Sequence, residues 1–466
     1  MFESAELGRM VDKEEYGRRV DVLRTALLKA QHALAATDRR LLVLVGGVEG
    51  AGKTEVARRF LDWMDARGLA VEAFGDPSDE QDERPAYWRY WRALPPAGHG
   101  AIMVGTWYSA PIVRRVFKDI GAGAFDQALD RAVAFESMLA REGTILVKLW
   151  LHLSKKEQKR RFEELEAAAD TSWRVTRQDW DFARKYDRFR DVCARALAKT
   201  GTAQAPWTVI EATDRRWRDL AAGDAVLAAL RDGLEAAKAP RPATKPDRSK
   251  PPQASVLSAL DLTKKAGDDY AKKFTKREAR VARLSRRLRE KRRSLICVFE
   301  GVDAAGKGGA IRRLLAAIDV RNARVMAVAA PTDEERAQPY LWRFWRHIPR
   351  AGQVSLYDRS WYGRVLVERV EGFCAPADWR RAYNEIASFE EELTESGVIV
   401  CKFWLQISPQ EQLRRFKDRV ATPYKQHKIT EDDWRNRAKW DAYQAAAVDM
   451  IGKTSAPGAP WTLIEA

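Results

Sequence analysis

Cysteine is scarce: the 466 residues hold four, Cys193, Cys297, Cys374 and Cys401, and none makes a C-x-x-C pair. Cys297 and Cys401 sit inside the apolar runs LICVF and VIVCKFWL. They read as buried reduced thiols, which fits a reducing compartment better than a disulfide framework. Histidine is scarce too. His32, His99, His152, His347 and His427 are scattered, with no partner at metal-ligand spacing, and no chemistry is assigned to them. No apolar run approaches the ~18 residues needed to span a bilayer. The N-terminus, MFESAELGRMVDKEEYGRR, is too charged for a secretory signal. Together these absences point to a cytoplasmic protein. Long polar tracts are also missing, and with 45% hydrophobic and 32% charged residues the composition is globular.

What is abundant is positive charge. The formal net charge is +16. Such a surface favours polyanions: nucleic acid, anionic membrane, nucleotides or phosphate chains. Charge alone does not separate them.

The chain is one unit written twice. At an offset of 254 the halves stay in register without a gap over 172 positions, from 41 against 295 to 212 against 466. YWRYWRALPPAG (87–98) falls on LWRFWRHIPRAG (341–352), and APWTVIEA (205–212) on APWTLIEA (459–466). A period this long means duplicated domains. We expect domains at 1–237 and 255–466, joined by the Pro- and Lys-rich stretch KAPRPATKPDRSKPPQA (238–254), an extended, exposed linker. The first copy runs on past Ala212 through a helical pattern that the second, stopping at Ala466, does not match. The comparison predicts that the second domain lacks a last helix of roughly 20–25 residues, either because the sequence is truncated, the favoured reading, or because the helix is truly absent. In each copy apolar strands alternate with helices, the pattern of βαβ units on a parallel sheet. The opening helix of the second copy is expected over roughly 255–292 from its charged amphipathic pattern.

GVEGAGKT (47–54) matches the phosphate-loop pattern in full; GVDAAGKGG (301–309) has Gly308 where Ser or Thr belongs. Both follow a strand and open a helix. The loop glycines, with Gly301, Ala305, Gly306, Gly308 and Gly309 in the second copy, let backbone N–H groups turn around phosphate oxygens. Lys307, or Lys53, can reach a bridging or terminal phosphate. Gly308 cannot supply the usual hydroxyl to Mg²⁺, but Asp303 lies in the loop and Asp358 ends a strand. Two carboxylates plus phosphate oxygens make a Mg²⁺ site, with Mn²⁺ as the substitute. In the first copy Asp358 becomes Val104, Arg359 Gly105, Arg364 Ala110, Glu368 Arg114, and Asp303 Glu49. The better motif therefore sits in the half that lost the chemistry. Trp342, Trp345, Trp361 and Tyr362 are kept in both copies, which favours packing over nucleotide stacking.

LYDRSWYGRVLVERVEGF (356–373), FEGVDAAGKGGAIRRL (299–314) and APTDEERAQPYLWRFWRHIP (330–349) closely resemble the polyphosphate kinase 2 family. The resemblance covers the whole chain as two tandem domains. It implies two P-loop, thymidylate-kinase-like α/β domains, each a parallel sheet flanked by helices with a helical lid. Two-domain members use polyphosphate to convert AMP to ADP. Carried over by position, Asp303 and Asp358 would hold the metal and orient the attacking phosphate, and Lys307 and Arg359 would bind the transferred phosphoryl. Arg364 and Glu368 follow in the same segment. Arg415, Arg419, Lys425 and Lys428 fall where the lid would meet polyphosphate. The implied partners are polyphosphate and AMP or ADP, not nucleic acid or membrane, with the two domains pairing within the chain and a higher oligomer left open. The alternatives are an ATP-dependent nucleotide kinase, a polyphosphate kinase acting on nucleoside diphosphates, or a non-enzymatic polyanion binder.

Overall fold

The computed structural model describes residues 1–239, 244 and 246–466. Among the described residues, short apolar runs rich in Val, Leu and Ile form ten strands: β1 (Arg40–Gly47), β2 (Leu69–Ala73), β3 (Gly100–Val104), β4 (Thr144–His152), β5 (Trp207–Glu211), β6 (Ser294–Gly301), β7 (Ala323–Ala327), β8 (Val354–Asp358), β9 (Val398–Gln406) and β10 (Trp461–Glu465). They make two parallel sheets, ordered β2-β3-β1-β4-β5 and β7-β8-β6-β9-β10. The expected α/β class with helix-flanked parallel sheets holds in both copies.

The strand before each phosphate loop is central, because it is the most continuously apolar; Leu42 and Leu44 of β1 and Ile296 and Val298 of β6 are fully buried. Register matters for chemistry. Phe299 of β6 pairs with Asp358 of β8, so that strand ends at its aspartate two residues before Gly301 opens the loop. In the first sheet the same rung is Val45 against Val104.

A buried ion pair pins each sheet to its long helix. In the second copy Lys402 Nζ on β9 donates to Glu390 Oε2 (2.6 Å), Tyr362 OH (2.9 Å) and Thr454 O (2.7 Å), while Trp361 Nε1 donates to Glu390 Oε1 (2.9 Å). Lys148, Glu136, Thr200 and Trp107 repeat these contacts in the first copy at 2.8, 2.7 and 3.1 Å. Trp361 and Tyr362 are fully buried in this cluster. Their persistence in both copies is structural.

The chain resolves into two compact units whose bounds do not follow the duplication throughout. The first unit contains Thr332–Arg343, and the second contains Ser78–Trp88, the segment at the matching position of the other copy. In the first unit Ala337 O accepts from Arg40 Nη2 (2.9 Å) and Ala97 N (2.7 Å). In the second, Arg84 Nε donates to Ile348 O (2.8 Å) and Arg350 pairs with Glu83 (2.6 Å).

Of the expected linker 238–254, residues 240–243 and 245 lie outside the described residues. The rest is not wholly exposed: Asp247 Oδ2 pairs with the buried Arg369 at 2.5 Å. The helix expected over 255–292 spans Tyr270–Glu290. It starts late because Gly267 and Asp268–Asp269 form a turn, with Tyr270 N donating to Gly267 O (2.9 Å). Among the described residues no helix is long and apolar enough to cross a membrane.

Candidate active site

The loop 301–306 leaves β6 and enters the helix Lys307–Ala316 at Gly306, whose φ of +101° only glycine adopts cheaply. Lys307 Nζ folds back over the loop to Gly301 O (2.7 Å) and Val302 O (3.3 Å). Burial lowers its pKa, partly offset by Asp303. Gly308 and Gly309 occupy the first helical turn, and a Cβ at Gly308 would meet open space. Ala305 is buried and its N–H donates to Val302 O (3.1 Å).

Asp303 is the hub. Its side chain is 13% exposed. Oδ1 accepts from Arg359 Nη2 (3.0 Å) and Oδ2 from Asn436 Nδ2 (2.9 Å). Burial pushes its pKa up, but Lys307, Arg359 and the Asn436 hydrogen bond outweigh it and hold the carboxyl below its ordinary value. Asp303 is therefore ionised. Glu300, one residue before the loop, is buried and accepts from Ser360 Oγ (2.8 Å). Burial raises its pKa against that bond and Lys307.

Asn436 continues into a chain of polar contacts. An ionised carboxylate only accepts, so Asn436 must turn its NH₂ to Asp303 and its carbonyl to Tyr443 OH (3.0 Å). Tyr443 OH also lies 3.2 Å from Glu371 Oε1, and Glu371 Oε2 pairs with Lys439 (2.6 Å) and Arg435 (3.2 Å). Sequence reasoning missed Asn436, Tyr443 and Glu371. The signal lay in the duplication: their counterparts are Phe182, Phe189 and Phe117.

Those phenylalanines pack against one another. Phe117 and Phe182 meet at 5.3 Å between centroids, Phe182 and Phe189 at 6.1 Å. An apolar plug thus stands where the second unit has an open cleft lined by Asp303, Arg359, Asn436, Trp404, Trp440 and Tyr443. The longer Glu49 reaches its own loop lysine, pairing with Lys53 at 2.9 Å. Asp303, one methylene shorter, faces Arg359 and Asn436 instead.

Left-handed backbone positions recur in both copies, but different residues occupy them. Ala304 and Arg359 hold φ of +62° and +63°, where a Cβ costs roughly 1–2 kcal/mol. Their counterparts are Gly50 and Gly105, at +80° and +76°. The second unit keeps an arginine where glycine would relax the turn, while at another such pair the first unit holds Lys118 at +70° against Gly372 at +74°.

The remaining expected residues are dispersed. Arg364 pairs with Glu368 (3.0 Å). Arg415 Nη1 braces Ala304 O (3.0 Å), as Arg161 braces Gly50 O (3.1 Å) in the first unit. Arg419 donates to Lys428 O (3.0 Å), Lys425 pairs with Asp418 (3.0 Å), and the Lys428 side chain is exposed. The structure brings together Asp303, Lys307, Arg359 and the loop. Arg419, Lys425 and Lys428 sit in and beside the segment 423–428, outside that cluster.

The sequence profile of polyphosphate kinase 2 matches residues 10–238 and 264–466. The chain belongs to the polyphosphate kinase 2 family. It is 50% identical to polyphosphate:AMP phosphotransferase of Pseudomonas aeruginosa, covering 100% of this chain and 95% of that protein. The likeness to the enzyme of the same name from Acinetobacter johnsonii is 35%, over 94% and 90%. ADP-polyphosphate phosphotransferase 3 of Rhizobium meliloti is 38% identical over 43% of this chain and 70% of its own length. A crystal structure of a polyphosphate kinase 2 from Pseudomonas aeruginosa PA01 superposes with a TM-score of 0.89 at 48% identity, over 100% of this chain and 94% of that one. The tandem parallel sheets are thus the P-loop kinase-like architecture of this family, whose members generally need a divalent metal.

Proposed function

We propose that this protein transfers the terminal phosphoryl group of inorganic polyphosphate to AMP, giving ADP, and that the chemistry lies in the second unit. One observation carries the location: Asp303 and Arg359 line an open cleft there, with Lys307 folded over the adjoining loop, whereas the matching site holds a Phe plug and a closed Glu49–Lys53 pair. The acceptor is inferred from full-length likeness to three enzymes named polyphosphate:AMP phosphotransferase.

In this reading an oxygen of the AMP phosphate forms a bond to the terminal phosphorus of polyphosphate. The bond to the bridging oxygen breaks, and the shortened chain leaves with that electron pair. No general base is required, because the AMP phosphate is already anionic. Phosphoryl transfer has a loose transition state, so catalysis is chiefly positioning and charge stabilisation. Lys307 and the loop N–H groups bind the transferred phosphoryl, Arg359 neutralises its charge, and Asp303, fixed by Asn436, aligns the acceptor. The cleft walls Trp404 and Trp440 exclude water from the acceptor side.

The residues present fit Mg²⁺. Among the described residues no cluster of three or more His, Cys, Asp or Glu could hold a metal. Mg²⁺ needs none, since it binds through one or two carboxylates together with substrate phosphates and water. Asp303, ionised and with lone pairs left on both oxygens, and Asp358 would hold it. Held there, a divalent metal would supply positive charge against the phosphoryl group being transferred. Arg364 and Glu368 flank the cleft, and Arg415, Arg419, Lys425 and Lys428 support or form the lid over the donor chain.

The test incubates the protein with Mg²⁺ and polyphosphate plus AMP, ADP or GMP and resolves the nucleotides. ADP from AMP supports the reading. Turnover only with ATP as donor, or only with nucleoside diphosphates as acceptors, replaces it.

A further inference from the structure

Most of the excess positive charge stands outside the cleft. Residues 270–293 hold twelve Lys or Arg against two Glu, in a chain whose net charge is +16. Nine of the twelve lie on the helix Tyr270–Glu290, and all nine are exposed. Its counterpart Lys13–Leu34 has five Lys or Arg against three acidic residues. There Arg18 pairs with Glu14 (3.1 Å), and Arg19 with Glu15 (3.4 Å) and Asp224 (3.1 Å).

The fold does not ask for this charge. Phe274, Val281 and Leu288 recur every seven residues and form the packed face, and Leu288 is buried. The first copy builds the same helix with nearly balanced charge. Like charges three and four residues apart repel, so the arrangement costs stability unless an anion covers it.

Lys276, Arg280, Arg283 and Arg287 follow at spacings of four, three and four, and therefore share one side of the helix, over about 16 Å of its length. Among the described residues none of the four has an ion-pair partner. The result is a straight, solvent-facing row of unpaired cations.

We propose that this row is a second binding site for inorganic polyphosphate, separate from the cleft, which holds long chains on the enzyme between turnovers. The inference rests on polyphosphate being the donor. A linear chain with about one charge per phosphate matches a linear row of cations, and its retention would raise the local concentration of chain ends. Insertion into a membrane would need the apolar face, which is packed on the protein's own unit, and purely electrostatic adsorption to anionic lipid is an outcome of the experiment. Single-stranded nucleic acid would need aromatic platforms among the cations. Of the two aromatic side chains on the helix, Tyr270 precedes the row and Phe274 is on the packed face.

The experiment compares the parent with R280E/R283E/R287E and with the milder R280Q/R283Q/R287Q, each checked for unchanged thermal unfolding. Binding of long-chain polyphosphate is measured without nucleotide, and KM is measured for long and short chains. We expect charge reversal to weaken long-chain binding and raise its KM by about tenfold, more at low salt. The glutamine variant should fall between, with kcat, KM for AMP and KM for short chains unchanged. Unchanged long-chain binding in both variants overturns the site. So does capture of anionic phospholipid vesicles or single-stranded RNA by the parent that the variants lose while their polyphosphate KM stays the same. If the parent binds long chains through this row yet makes no ADP, the site stands and the assigned activity falls.

Discussion

Substituting Asn436 by Asp tests the Asp303 hub directly. Asn436 Nδ2 is 2.9 Å from Asp303 Oδ2, and the new side chain is nearly isosteric, so Asn436→Asp sets two carboxylates face to face. At about 4 Å between charge centres and an effective dielectric near 20, their repulsion is about 4 kcal/mol. Asp303 is mostly shielded from water, so solvent removes little of this. Lys307 and Arg359 absorb part. What remains must appear as proton uptake, because two adjacent carboxylates titrate as a coupled pair with one step raised. The sign is determined. In the parent the net effect of the surroundings lowers the Asp303 pKa, so its carboxylate persists below the ordinary range. In the variant a proton enters as pH falls through a higher value, and activity needing ionised Asp303 is lost earlier. The assay is kcat/KM for AMP against pH with polyphosphate as donor. We expect the acid limb to move toward neutrality, with activity recovering at high pH. Asn436→Ala, by contrast, removes one charge-assisted hydrogen bond, about 1.5–3 kcal/mol, and should lower kcat/KM roughly ten- to a hundredfold. A pH profile for Asn436→Asp that superimposes on the parent's would refute the view that Asn436 positions a required carboxylate.

Two further outcomes follow from the same geometry. Asp358→Asn should reduce turnover by about a hundredfold or more, the scale of losing one preorganised electrostatic group, while Lys53→Ala leaves most turnover in place; a lethal Lys53→Ala would move the chemistry to the first unit. Lys402→Met leaves Glu390 buried without its cation and should destabilise by about 3–5 kcal/mol, and Lys148→Met should do the same through Glu136. Denaturant unfolding reads both, and an undiminished midpoint in either would show that the buried pair does not hold its unit together.

Much of the site was legible because two copies could be compared. Loss of Asp358 and Arg359 from the first copy pointed to the second, despite the poorer motif. The same comparison contained Asn436, Tyr443 and Glu371 against three phenylalanines, but as scattered changes with no visible relation. They became one network only when the fold brought Asn436 to Asp303 across 133 residues and Tyr443 to Glu371 across 72. Arg415, expected where the lid meets polyphosphate, also braces Ala304 O, as Arg161 does for Gly50 O, a contact that the sequence did not reveal.

By itself the sequence determined what is local or periodic: the duplication, the strand–loop–helix units, the parallel sheets, the loop lysines and the carboxylate at the end of β8. These depend on side-chain pattern over a few residues, or on matching one stretch with another. Only the tertiary structure decided which side chains meet: the Asp303–Asn436–Tyr443 chain, the Phe plug, the left-handed turn at Arg359, and the residence of 78–88 and 332–343 in the opposite units. Hydrogen bonds and packing act over ångströms in space between residues distant in the chain, and no local pattern encodes that distance.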